Sequence, residues 1–200
     1  GQTLVELGKT NKDIVVIDAD LSVSTKTNIF AKVFPDRFFN FGVAEQNMMA
    51  AAVGLASCGK IVYVSTFAIF AAGRAWDQVR NSVAYNNFNI KIVATHAGLT
   101  VGPDGSSHQA IEDIALMRVI PNMNIVVPCD GPQTKEAIIA AANTKGPFYI
   151  RLGRPKFVTI ANKGEFKLGK AQVLTEGNNV TIAVCGCMVN EALIAAKVLL

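Results

Sequence analysis

Only two histidines occur in this 200-residue chain, and both lie on one stretch, Thr95 to Gln109. His96 opens it and His108 closes it, with Asp104 between them and glycines at positions 98, 102 and 105. Two imidazoles and a carboxylate on one loop can take up and release protons and hydrogen-bond a polar ligand. The glycines let the backbone turn sharply or approach a ligand closely. The apolar run Ile90-Lys91-Ile92-Val93-Ala94 leads in, and Ile111 to Met117 reads as a helix leading out. Open α/β sheets place their ligands on such loops, at the carboxyl ends of buried strands. The spacing matches no common metal-ligand pattern.

Three further groups have the chemistry of a site. In Gly42-Val43-Ala44-Glu45-Gln46, Glu45 falls in the first turn of an otherwise apolar helix. A carboxylate there is favoured by the helix dipole by about 0.3–1 kcal/mol, and it can instead share a proton with a ligand. In Ser65-Thr66-Phe67-Ala68-Ile69-Phe70, two aromatics flank the junction of a strand and a helix. They suit core packing, or a platform for a flat heterocycle. In Asp18-Ala19-Asp20-Leu21-Ser22-Val23-Ser24, the acids and serines suit a helix cap or a ligand contact at the same sheet edge. The chain has no Walker loop, no dinucleotide fingerprint and no nucleophile elbow.

The elements that must position these groups alternate in type. Strand patterns run over 13–18, 60–65, 90–94, 123–127 and 148–152, and helical patterns over 44–58, 70–85, 111–117 and 132–143. Thr3 to Leu7 reads as the tail of a further helix. The strand runs are continuously apolar, which predicts a sheet covered on both faces. The fold class expected is α/β, a parallel sheet flanked by helices on both faces.

The chain is 50% hydrophobic and 17% charged, enough apolar residue to build a core. Its net charge of +4 comes from scattered lysines and arginines with no basic run, which argues against nucleic acid. No apolar stretch approaches the roughly 20 residues that span a bilayer, and no signal peptide is evident, so the cytoplasm is the default compartment. The four cysteines form no Cys-x-x-Cys pair and read as buried reduced thiols. After Leu152 the texture changes. Residues 153–166 read as a linker, Val180 to Cys185 as a strand and Val189 to Leu200 as a helix. Residues 167–200 are therefore expected to be the incomplete start of a second α/β domain, following a first domain over 1–152.

Taken in order, Asp18-Ala19-Asp20-Leu21, Gly42-Val43-Ala44-Glu45-Gln46, Thr66-Phe67-Ala68-Ile69-Phe70 and Gly102-Pro103-Asp104-Gly105-Ser106-Ser107-His108-Gln109 resemble the transketolase family in its pyrimidine-binding domain. The wording is closest to split transketolases, in which two genes encode the two halves. The resemblance implies a two-carbon ketol transfer between a ketose phosphate and an aldose phosphate, within pentose phosphate metabolism. It implies thiamine diphosphate as cofactor, with Glu45 hydrogen-bonding the N1′ nitrogen of the aminopyrimidine, Phe67 and Phe70 stacking on that ring, and Asp20 at the pocket. Asp104 and His108 would serve catalysis beside Glu45 by hydrogen-bonding sugar hydroxyls near the reacting carbons. His96, Ser24 and Arg151 would reach the sugar phosphate.

One departure matters. The family binds the diphosphate through magnesium with a Gly-Asp-Gly motif followed by Asn, and no such motif occurs here. Magnesium is accordingly expected on a partner, an N-terminal diphosphate-binding subunit, with homodimerisation through the pyrimidine domain giving a heterotetramer. Nearby alternatives are 1-deoxy-D-xylulose-5-phosphate synthase, a 2-oxo-acid dehydrogenase beta subunit, and a non-catalytic homologue. The synthase usually has arginine where Thr95-His96 stands, and the dehydrogenase subunit typically carries paired histidines where Gly105 to His108 stands.

Overall fold

A computed structural model describes residues 1–160 and 164–199. Residues 161–163 of the expected linker, and Leu200 at the end of the expected last helix, lie outside the described residues. Six parallel strands form one sheet: β1 (Ile14–Asp18), β2 (Phe38–Asn40), β3 (Ile61–Phe67), β4 (Ile90–Thr95), β5 (Asn124–Val126) and β6 (Phe148–Arg151). Their order across the sheet is β2-β1-β3-β4-β6-β5. The chain thus starts in the interior, fills one edge, and returns across β1 to build the other side. Strand β2 is short and half-exposed, and its residues carry no apolar run that predicts it.

Successive side chains of each strand feed two cores, as the period of two requires. Val15, Ile17, Val62, Val64, Ile92 and Ala94 pack under helix α4 (Glu45–Ser57) and the helical segment after β3. Ile14, Val16, Tyr63, Val93 and Ile150 face the opposite layer, built by α1 (Gln2–Thr10), α3 (Asn28–Val33) and α6 (Gly131–Ala142). The doubly covered sheet that the apolar strands predict is therefore present. Helix α6 begins with Asp130 as its cap, whose side chain accepts from the Gln133 amide at 2.9 Å, followed by Pro132 in the first turn. Of the remaining helices, the short α2 (Ser22–Thr25) follows β1, the short α5 (Asp113–Arg118) follows the glycine-rich loop, and the longer α7 (Val189–Leu199) ends the described chain.

Three expectations are corrected. The helix expected over 70–85 is wound with wide π turns at Phe70–Arg74 and Gln78–Ala84, closed by bonds such as Ala75 N–H to Phe70 C=O at 3.1 Å. Such turns insert an extra residue per bonded ring and re-aim the side chains that follow. Val180 to Cys185 forms no strand among the described residues: the run is apolar enough for one, but it makes no hydrogen-bonded ladder with the sheet. The segment is instead irregular and exposed, and it is Val189, the first residue of α7, that packs with Cys129 and Ile160. Of the four cysteines only Cys129 is buried, while Cys58 and Cys185 are exposed.

Candidate functional site

Parallel register brings the carboxyl ends of the strands to one edge. Asp18 stands beside Asn40 on one side and Ser65 on the other, Phe67 pairs with Thr95, and Ala94 with Arg151. Every residue singled out in the sequence lies at this edge or on the loops and helix that spring from it.

The centre is a cluster of four rings. Phe67 and Phe70 lie nearly parallel at 5.9 Å, one at the end of β3 and the other one turn on. His96 lies flat on Phe67 at 3.9 Å, and His108 meets Phe67 and Phe70 edge-on at 6.5 and 5.4 Å. The edge-on and offset arrangements are those aromatic quadrupoles prefer. Both histidines thus meet Phe67, from 29 and 41 positions further along the chain, because β3 and β4 lie side by side in the sheet.

His96 and Asp20 share a backbone feature. Their φ values are 60° and 64°, in the left-handed region that non-glycine residues seldom occupy. Such strain clusters at functional sites, where the surrounding structure has to maintain it. Asp20 is held by Asn40, whose side-chain oxygen accepts the Asp20 amide at 2.9 Å and whose side-chain nitrogen donates back at 3.2 Å. Beneath it the fully buried Asp18 accepts the Leu21 amide at 2.6 Å and the Thr25 and Thr27 hydroxyls at 2.7 and 2.9 Å. Burial pushes the Asp18 pKa up against these three donors, and the charge of Asp20 adds to the rise.

Glu45 is 1% exposed, although it begins a helix. Its two oxygens sit 2.9 and 3.0 Å from one nitrogen of Arg74, whose guanidinium also lies over Phe70 at 4.6 Å. The carboxylate therefore joins the ring cluster through an arginine that the sequence reading did not single out.

The loop between β4 and α5 is closed at its base by Gly98 N–H donating to Ala110 C=O at 2.9 Å and Ala97 N–H to Leu152 C=O at 3.0 Å. Asp104 is exposed near its tip. Burial lowers the His96 pKa first, and the positive charges of Arg154 and Lys26 lower it further, against an opposing contribution from Asp104. These groups thus share one polar mouth. Ser24 lies exposed on α2, two residues before Lys26.

Arg151 is engaged elsewhere. Its Nε donates to Asp113 at 2.8 Å, and the same carboxylate oxygen accepts the Tyr149 hydroxyl at 2.7 Å. Its terminal nitrogen reaches Ala110 C=O at 3.3 Å, which ties it to the loop base. Arg154, by contrast, is exposed and donates to Val101 C=O on the loop at 2.6 Å. The sequence reading placed Arg154 in a linker. Its type was visible, but its return to the loop is a tertiary contact.

The sequence family described as transketolase, pyrimidine binding domain, matches residues 1–158. This chain belongs to the transketolase family. It is 54% identical to a putative transketolase C-terminal section of Methanocaldococcus jannaschii, over 100% of this chain and 64% of that relative. It is 41% identical to human transketolase, over 100% of this chain and 32% of the human one. The chain thus spans under two thirds of the curated relatives it matches. Among solved structures, a split-gene transketolase described as an inactive beta4 tetramer superposes with a TM-score of 0.88 at 54% identity, covering 99% of this chain and 64% of that one. A Pichia stipitis transketolase in complex with sedoheptulose 7-phosphate superposes with a TM-score of 0.81 at 28% identity, covering 98% of this chain and 31% of the other. The resemblance and the fold expected from it therefore hold. Transketolases are transferases that depend on thiamine diphosphate, and this chain carries their pyrimidine-binding domain. No helix among the described residues is long and apolar enough to cross a membrane.

Proposed function

We propose that this chain is the pyrimidine-recognising half of a thiamine-diphosphate-dependent transketolase, working with a second chain that holds the diphosphate and magnesium. One observation carries the reading: the buried Glu45 carboxylate and the rings of Phe67, Phe70, His96 and His108 converge at one carboxyl edge of the sheet. The donor set fits an aminopyrimidine, with a carboxylate for a ring nitrogen and aromatic faces for a flat ring. Among the described residues no group of three His, Cys, Asp or Glu side chains is arranged to hold a metal ion. We assign magnesium to a partner's residues because the Gly-Asp-Gly motif followed by Asn does not occur in this sequence, in a heterotetramer built on a dimer of this domain.

Bound thiamine diphosphate supplies a nucleophilic carbon and an electron sink for breaking the carbon–carbon bond beside a ketose carbonyl. The chain's own residues bind and orient. Glu45 hydrogen-bonds the pyrimidine ring nitrogen and sets its tautomer, and Phe67 and Phe70 exclude water from the ring. Asp20 shapes the pocket wall from the end of β1. Asp104 and His108 hold sugar hydroxyls, and His108 is suited to move a proton at a hydroxyl next to the reacting carbonyl. His96 and Ser24 face the phosphate of the sugar. Arg154 is a better placed guanidinium for that phosphate than Arg151, which Asp113 holds. Residues 1–152 make up this unit, 153–166 link it, and 167–200 begin the next. That a split-gene transketolase is described as an inactive beta4 tetramer favours a site that needs two chains.

The test is ketol transfer from xylulose 5-phosphate to ribose 5-phosphate with thiamine diphosphate and magnesium, using the chain alone and then assembled with a diphosphate-binding half. Activity only in the assembly is expected, together with its loss in Glu45→Gln. Full activity of Glu45→Gln would overturn the catalytic assignment, and activity of the chain alone would overturn the two-chain site.

A further inference from the structure

The geometry points to Arg74 as the resident occupant of the pyrimidine subsite, an arginine that must leave Glu45 before the cofactor's ring can enter. The inference rests on the reading of Glu45, Phe67 and Phe70 given above. One Arg74 nitrogen lies 2.9 and 3.0 Å from the two Glu45 oxygens, so both oxygens of the carboxylate are already engaged. The same guanidinium is planar and lies over the Phe70 ring at 4.6 Å. A flat, hydrogen-bonding cation seated against an aromatic face and donating to a carboxylate has the shape and contacts of a protonated heterocycle. Arg74 therefore makes, within one chain, both contacts that the aminopyrimidine requires.

The two partners differ in how easily they move. Glu45 is 1% exposed and anchored in the first turn of α4, whereas the Arg74 side chain is 50% exposed. Leaving a buried carboxylate without a partner is costly, while a half-exposed arginine regains water as it withdraws. The pair is thus stable until another donor arrives for Glu45, and then the arginine is the member that yields. Arg74 also ends the wide turn Phe70–Arg74, where the Ala75 amide bonds back to Phe70. That turn is what aims a residue four places after Phe70 back across its ring. The consequence is a site that guards its carboxylate in the unloaded chain and couples cofactor entry to arginine exit.

The experiment uses the chain assembled with its diphosphate-binding half, with thiamine diphosphate and magnesium as probe. The Arg74 side-chain Nε–H signal is followed by NMR as the cofactor is added, and binding is measured by calorimetry for the wild type, Arg74→Gln and Arg74→Lys. The arginine signal is expected to move to that of a freely rotating, solvated guanidinium at saturation. Arg74→Gln is expected to bind thiamine diphosphate about fivefold tighter, the factor equivalent to about 1 kcal/mol, with Arg74→Lys in between. Saturation with an unchanged Arg74 signal would overturn the inference, as would weaker or equal binding by Arg74→Gln. Failure of the wild-type assembly to bind the probe would instead sink the reading of the site itself, and the arginine's role with it.

Discussion

The imidazole of His96 lies flat on the ring of Phe67, with 3.9 Å between centroids and 19° between planes. The stack joins the ends of two neighbouring strands, since Phe67 pairs with Thr95 in the β3–β4 ladder. It fixes a left-handed residue at the base of the glycine-rich loop, and so it couples the aromatic floor of the site to its polar mouth.

His96 is accordingly expected to titrate below an ordinary histidine. Its folded pKa is lowered by burial first and by Arg154 next. The native state then binds fewer protons than the unfolded chain just below pH 6.5, the ordinary histidine value, so this group's contribution to stability falls as the pH drops through that window. Imidazole NMR should show the pKa rising in Arg154→Ala and falling in Asp104→Asn. An unchanged value in both would remove Arg154 and Asp104 from the surroundings of His96.

The two arginines after β6 should separate cleanly. Removing Arg151 leaves Asp113 buried without its cation, and Arg151→Ala is expected to cost about 3 kcal/mol in denaturant unfolding. Arg154 is exposed, so Arg154→Ala should leave stability nearly unchanged. In the active assembly it should raise KM for phosphorylated ketoses about tenfold, as loss of a charge-assisted hydrogen bond worth about 1.5 kcal/mol implies. Similar losses of stability in the two variants, or equal effects on phosphorylated and unphosphorylated sugars, would contradict this division.

Asp18 organises the first loop of the site. Asp18→Ala removes the acceptor for three donors, two of them on buried threonines, and is expected to cost about 3 kcal/mol of stability. Because burial raises its folded pKa, the native state holds more proton than the unfolded chain above pH 3.8, and this group's contribution declines as pH rises through that window. A loss below about 1 kcal/mol in the denaturation midpoint would show that the loop holds itself without Asp18.

Lys91 lies at the opposite end of the sheet, fully buried, donating to the Thr144 and Gly146 carbonyls at 2.7 Å each. Burial pushes its pKa down to about 7. Between pH 7 and 10.5 the unfolded chain carries the extra proton, so stability should rise with pH by about 1.4 kcal/mol per unit relative to Lys91→Met. Parallel stability curves for the two proteins over that range would refute it.

Much of this molecule is legible in one dimension. Alternation of apolar strands and helices is a local property, and it predicts the doubly covered parallel sheet because continuous apolar strands need cover on both faces. The loop chemistry was equally visible, since glycines, an acid and two histidines within fifteen positions need no partner to be recognised. Strand β2 was not, because three residues beside β1 are held by the ladder and not by their own hydrophobicity. The wide turns after β3 were hidden for a similar reason, as their extra residues break the helical period without a signal of their own. Tertiary structure alone decided which cation meets which carboxylate. Arg74 reaches Glu45 across 29 positions, Arg151 goes to Asp113 across 38, and Arg154 is left for the loop. Those pairings depend on the order in which strands cross the sheet, and a residue's type records its charge but not the neighbour that the crossing brings to it.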